Sequence, residues 1–177
     1  MDTNASSATT TFDFDDGNGP VPAARHNNPN GQIGGWVAET AYVSPTASVA
    51  PRAVVFGHAR AEGFARIGGC ARLFGYACVH GSLQDHAQVC DNAAVGENAL
   101  IGGDAKISNN ASVIDFAHVY GRAHICDSAQ IGGHVKVYGY SKVHQNVAVT
   151  GQVRICGGAI IGGQGALVGD IHIGGRV

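Results

Sequence analysis

Residues 117–139 read AHVYGRAHICDSAQIGGHVKVYG. Ala117, Ala123, Ala129 and Val135 recur at every sixth position, and Val119, Ile125, Ile131 and Val137 follow each of them by two. Gly121, Asp127, Gly133 and Gly139 stand four places after the small residue, where residue types tolerant of positive φ serve a bend. Two inward side chains separated by one outward side chain make a very short strand, because strand side chains alternate faces. A period of six keeps no single face of a 3.6-residue helix apolar, so a helix is excluded.

The same pattern extends both ways. It begins near Gly35 and runs through Ala41, Ala47, Ala53, Ala59, Ala65, Ala71 and Ala77, each with an aliphatic or small partner two places on. Ten residues then separate Ala77 from Ala87, after which the period holds to Ile171 and Ile173. Strand plus corner, repeated, predicts a coil whose turns stack by parallel pairing around an aliphatic ladder. With 27 glycines and 7% aromatic residues, that ladder is built of small and branched side chains.

These residues resemble the hexapeptide-repeat superfamily of left-handed parallel β-helices over about residues 35–175. The resemblance implies an all-β fold, a single-stranded triangular solenoid of left hand with three hexads per coil, hence about seven to eight coils. The stretch NGQIGGWV, leading into the repeats, also looks like YdcK-like β-helix proteins of bacteria and phages, which bring no assigned chemistry.

Residues 1–30 are polar and read as a flexible leader, with residues 31–177 as the β-helix and the extra residues extruded as a short loop at 80–86. The net charge of −2 opposes a nucleic-acid surface, and no apolar run reaches the length of a membrane span. The start lacks the pattern of a secretory signal, so the expectation is a cytoplasmic protein. Five cysteines without CxxC spacing indicate neither a disulfide framework nor a zinc ribbon.

With the loop extruded, outward residues sort into three faces. One is apolar and carries Trp36, Val54, Phe56, Phe74, Ile114 and Val168. A strip of that length calls for cover, either by Phe12 and Phe14 of the leader or by other copies of the chain, a trimer being common in the superfamily. A second face carries His118, Tyr120, Lys136, Tyr138 and Arg154, suited to an anion, with the two tyrosines stacked one coil apart. On the third, His124, Cys126 and His144 are candidate zinc ligands by residue type. In the loop, His80, Asp85 and His86 offer a histidine beside a carboxylate, the pairing of a general base.

The resulting expectation is a non-catalytic structural or binding module that self-associates and recognises a protein partner, with no cofactor, such as a phage-type tail component or an inhibitor of a host protein. The resemblance supplies an enzymatic alternative, an acyltransferase using acyl-CoA with His80 or His86 as base. A γ-class carbonic anhydrase site is not matched, since His118 and His124 are six apart and fall on different faces.

Overall fold

The computed structural model describes residues 10–175. The chain is all-β, a parallel solenoid of about eight turns in which the middle coils contribute three two-residue strands each and the last coils run into the longer strands Asn146–Cys156 and Gln164–Gly174. Rungs stack in register, for example Val54 on Trp36, Arg72 on Val54 and His124 on Lys106. The inward residues of the repeat, from Ala47 and Val49 to Val153 and Ile155, are almost completely buried in one continuous aliphatic cluster. Among the described residues no helix is long and apolar enough to cross a membrane.

Corners supply the other regularity. Asp85, Asp91, Asn109, Asp115, Asp127 and Gln145 adopt positive φ where other corners use glycine. Four of them form one ladder: Asp91 Oδ2 accepts the Asn109 N–H at 2.9 Å, Asn109 Oδ1 that of Asp127 at 3.2 Å, and Asp127 Oδ2 that of Gln145 at 2.9 Å. The short side chain both tolerates the left-handed backbone and ties one coil to the next.

Over its described part the leader is paired in strands. Val21–Asn27 pairs antiparallel with Ile33–Ala38, and Thr11–Phe12 pairs antiparallel with Val21–Asn27, forming a strap across the first coils. Phe12 stacks on Trp36 at 4.7 Å and Phe14 on Phe56 at 4.8 Å, with Phe74 stacked beyond Phe56 at 5.0 Å. Arg72 closes the seam by donating to the Phe14 carbonyl at 2.5 Å. His26 and Asn28 meanwhile bond the backbone of Ala47 and Val49, capping the lower end. Residues 1–9 of the expected leader lie outside the described residues.

No loop is extruded at 80–86. Cys78–Val79 pairs with Arg60–Ala61 eighteen residues earlier, but Ser82–Leu83 pairs with Arg66–Ile67 sixteen residues earlier. The corner between them has two residues, His80 and Gly81, where the coil below has four (62–65) and the coil above four (96–99). Leu83 is fully buried in the ladder, which an extruded loop would not permit. A Cβ on Gly81 would stand 2.2 Å from the Gly96 carbonyl oxygen, so the shortened corner is built around glycine.

Candidate functional site: a recess at the shortened coil

The missing pair of residues rotates the face assignment above the break. The Trp36, Val54, Phe56 and Phe74 face continues into Gln88, Lys106, His124 and Lys142, whereas Ile114 and Val168 belong to the face that carries Tyr42, Arg60 and Cys78. The expected unbroken apolar strip therefore does not exist. Its lower part is covered within the chain, with Phe14 and Phe56 buried under the strap.

Skipping half a corner leaves a recess of ≈ 720 Å³ between the coils below and above, lined among others by Phe64, Arg66, His80, Glu97, Phe116 and His118. Phe64 is 81% exposed and Phe116 54% exposed, one ring below and one above the gap. In regular corners such rings gain a stacked neighbour, as Phe116 does on His134 at 5.1 Å. Phe64 loses its upper neighbour because the shortened corner provides none. A second opening, ≈ 790 Å³, lies where the strap meets the first coil, between Pro22, Ala24 and Tyr42, and is a seam between two parts of the fold.

A column of basic side chains leaves the recess upward. Arg66, Ser82, Leu100, His118, Lys136, Arg154 and His172 occupy successive rungs of one face. Four consecutive members, His118 to His172, are cations or titratable bases at a rung spacing of about 4.8 Å. Tyr120 and Tyr138, beside that column, stack at 4.9 Å with planes 1° apart. The Tyr138 hydroxyl is pushed up from its ordinary pKa, first by the neighbouring Cys156 side chain.

At the recess wall, His80 Nε2 lies 3.2 Å from Glu62 Oε2, and His80 Nδ1 lies 3.9 Å from Cys78 Sγ. Arg60 Nε donates to Glu62 Oε1 at 2.5 Å, which holds the Glu62 carboxyl below the usual range. Burial, and then the Glu62 charge, raise the Cys78 thiol above its ordinary value. The eighteen-residue period puts Glu62, Cys78 and His80 on one face, but the convergence of their donor atoms is set by side-chain orientation, which the repeat does not specify.

The other expected site residues separate. Asp85 is not the partner of either loop histidine: its Oδ2 accepts the Gly103 N–H at 2.8 Å, and His86 faces Asp104 at 3.8 Å. His80 takes its carboxylate from Glu62 instead. His124 Nε2 lies 3.0 Å from Ser108 Oγ and His144 Nδ1 lies 3.7 Å from Asp127 Oδ2, while Cys126 is buried. Although they share a face, His124, Cys126 and His144 do not bring three donor atoms together, whereas Glu62, Cys78 and His80 do, among the described residues.

Comparison with known proteins finds no family model, no curated protein and no solved structure that matches this chain.

Proposed function

We propose that the chain is a rigid, non-catalytic binding module that recognises an acidic protein segment through the recess and the basic column above it. The observation that carries this reading is the exposed Phe64 ring beside a recess whose wall leads directly into His118, Lys136 and Arg154. Aromatic and arginine side chains at a concave, locally irregular position are the groups that dominate binding energy at interfaces. Like charges stacked one rung apart repel, and an anionic partner relieves that repulsion.

The six-residue period and about eight stacked turns support placing the chain with the hexapeptide-repeat β-helices, with their left hand, and the NGQIGGWV entry supports the YdcK-like, phage-associated grouping. Five free cysteines suit a reducing, cytoplasmic compartment. Self-association as a trimer is supported by the resemblance, with contacts away from the strap-covered aromatics.

A photo-crosslinking residue at position 64, compared with one at the exposed corner residue Tyr76, tests the proposal in cells. A crosslinked protein at 64 alone, lost in Lys136→Glu/Arg154→Glu, is the expected result. Identical patterns at both positions reject it.

A second reading rests on His80 and Glu62. A histidine 3.2 Å from a carboxylate in a recess has the form of a general base, which keeps the acyltransferase alternative with His80 as base. In that reading acyl-CoA raises the melting temperature and His80→Ala abolishes turnover. Under the binding-module reading neither effect is present.

A further inference from the structure

The geometry points to a zinc-type divalent cation site formed by Glu62, Cys78 and His80. Register alone brings them together. Cys78 and His80 project from the same side of one strand edge, two residues apart, and the parallel pairing of Cys78 with Arg60 sets Glu62 across from His80 on the rung below. One thiol sulfur, one imidazole nitrogen and one carboxylate oxygen lie within 4.8 Å of one another.

Tetrahedral zinc with a sulfur ligand at about 2.3 Å and a nitrogen ligand at about 2.0 Å separates those two atoms by roughly 3.6 Å. Cys78 Sγ and His80 Nδ1 are 3.9 Å apart, so a closure of a few tenths of an ångström suffices. Arg60 engages Oε1 of Glu62, leaving Oε2 facing the His80 ring. In this orientation a single His80 nitrogen lies within 4.8 Å of both the Cys78 sulfur and a Glu62 carboxylate oxygen. The mixed sulfur, nitrogen and oxygen set favours zinc or cobalt over magnesium or calcium, which take oxygen ligands. Three protein donors leave a fourth position for water.

Cobalt(II) added to the reduced full-length chain tests the site. The expected result is one equivalent bound, with a thiolate-to-cobalt charge-transfer band in the near ultraviolet and visible bands of tetrahedral intensity, both displaced by zinc. Cys78→Ala and Cys78→Ser remove the charge-transfer band, whereas Cys156→Ala, which removes the thiol 3.3 Å from His172, leaves it intact. X-ray absorption of the zinc-loaded wild type then shows one sulfur among nitrogen and oxygen ligands, a readout that does not depend on how any variant folds. Absence of the band at stoichiometric cobalt, its persistence in a folded Cys78 variant, or a sulfur-free shell overturns the proposal. The site stands or falls independently of whether the recess takes an acidic partner, because metal loading is read directly.

Discussion

Ser82 lies directly across from Arg66, sixteen residues earlier, although the rungs that do not span residues 80 and 81 are spaced eighteen apart, as Arg60 and Cys78 are. This two-residue deficit is the one departure from period in the middle of the solenoid, and the recess and the rotated faces follow from it, whereas the Glu62/Cys78/His80 cluster lies on the regular eighteen-residue pairing just below. The corner closes only because residue 81 has no side chain. Gly81→Ala forces a Cβ to within 2.2 Å of one carbonyl and 2.5 Å of another, and overpacking of this kind costs about 1–3 kcal/mol. Gly102→Ala, whose Cβ would meet nothing closer than 3.5 Å, is expected to change stability by under about 0.5 kcal/mol. Urea titration of the two variants checks the contrast; equal midpoints remove the claim that the corner requires glycine.

The strap makes a second prediction. Phe14 is 3% exposed between Phe12 and Phe56, and truncating a packed phenylalanine costs about 3–5 kcal/mol at its site. In a repeat array that loss stays local, because each coil contacts its neighbours and not the whole. Phe14→Ala is therefore expected to speed amide exchange across Val21–Asn27 while exchange in the rungs above Gln88–Val89 stays unchanged. Loss of protection throughout the chain would mean that strap and solenoid unfold as one unit.

How much of this was legible in the sequence turns on particular residues. The inward ladder was, because a fully buried position in so narrow a coil admits few residue types and repeats them. Cover of Trp36 and Phe56 by Phe12 and Phe14 was legible as one of two options, since the alternation of Phe12-Asp13-Phe14 marks a one-sided strand but says nothing about what it pairs with. The shortened coil was not. Ten residues between Ala77 and Ala87 accommodate either a hexad plus an inserted four or a four-residue step plus a complete hexad, and Gly81 hides the second solution by standing where the other repeats place alanine. Leu83 held the signal: extrusion would have put an aliphatic side chain in water, two places after a small residue, with no reason to be there. The rotation of the upper faces relative to the lower ones depended on that choice, but the eighteen-residue neighbours on either side did not: what separates His124, Cys126 and His144 from Glu62, Cys78 and His80 is the direction of the side chains, which the repeat does not specify.

The corner ladder separates two contributions at one position. Asp127 has φ of 60° and accepts the Gln145 N–H. Asp127→Asn keeps both the tolerance for that conformation and the acceptor, and is expected to be near neutral. Asp127→Gly keeps only the conformation and loses a hydrogen bond worth about 1 kcal/mol. Asp127→Ala loses the acceptor and adds a left-handed backbone penalty of about 1–2 kcal/mol. Melting temperatures should fall in the order Asn, Gly, Ala. If Gly were as damaging as Ala, the cost would lie in the lost bond and not in the backbone.

His124 gives the pH dependence. Burial depresses its pKa first, and the flanking Lys106 and Lys142 ammonium groups add to that, against a smaller opposing effect of Asp127; Ser108 Oγ is its hydrogen-bond neighbour. A histidine whose folded pKa is depressed binds protons more readily when unfolded. Its neutral form therefore favours the fold fully above the unfolded value of about 6.5, and that contribution is lost as pH falls from there toward the folded value. The wild type is expected to lose melting temperature between pH 7.5 and 5 more steeply than His124→Gln, which retains a hydrogen-bonding group and carries no titrating proton. The double change Lys106→Gln/Lys142→Gln should leave part of the slope in place, because the first cause is burial. A slope identical in wild type and His124→Gln would assign the acid sensitivity to other groups and remove His124 from the account.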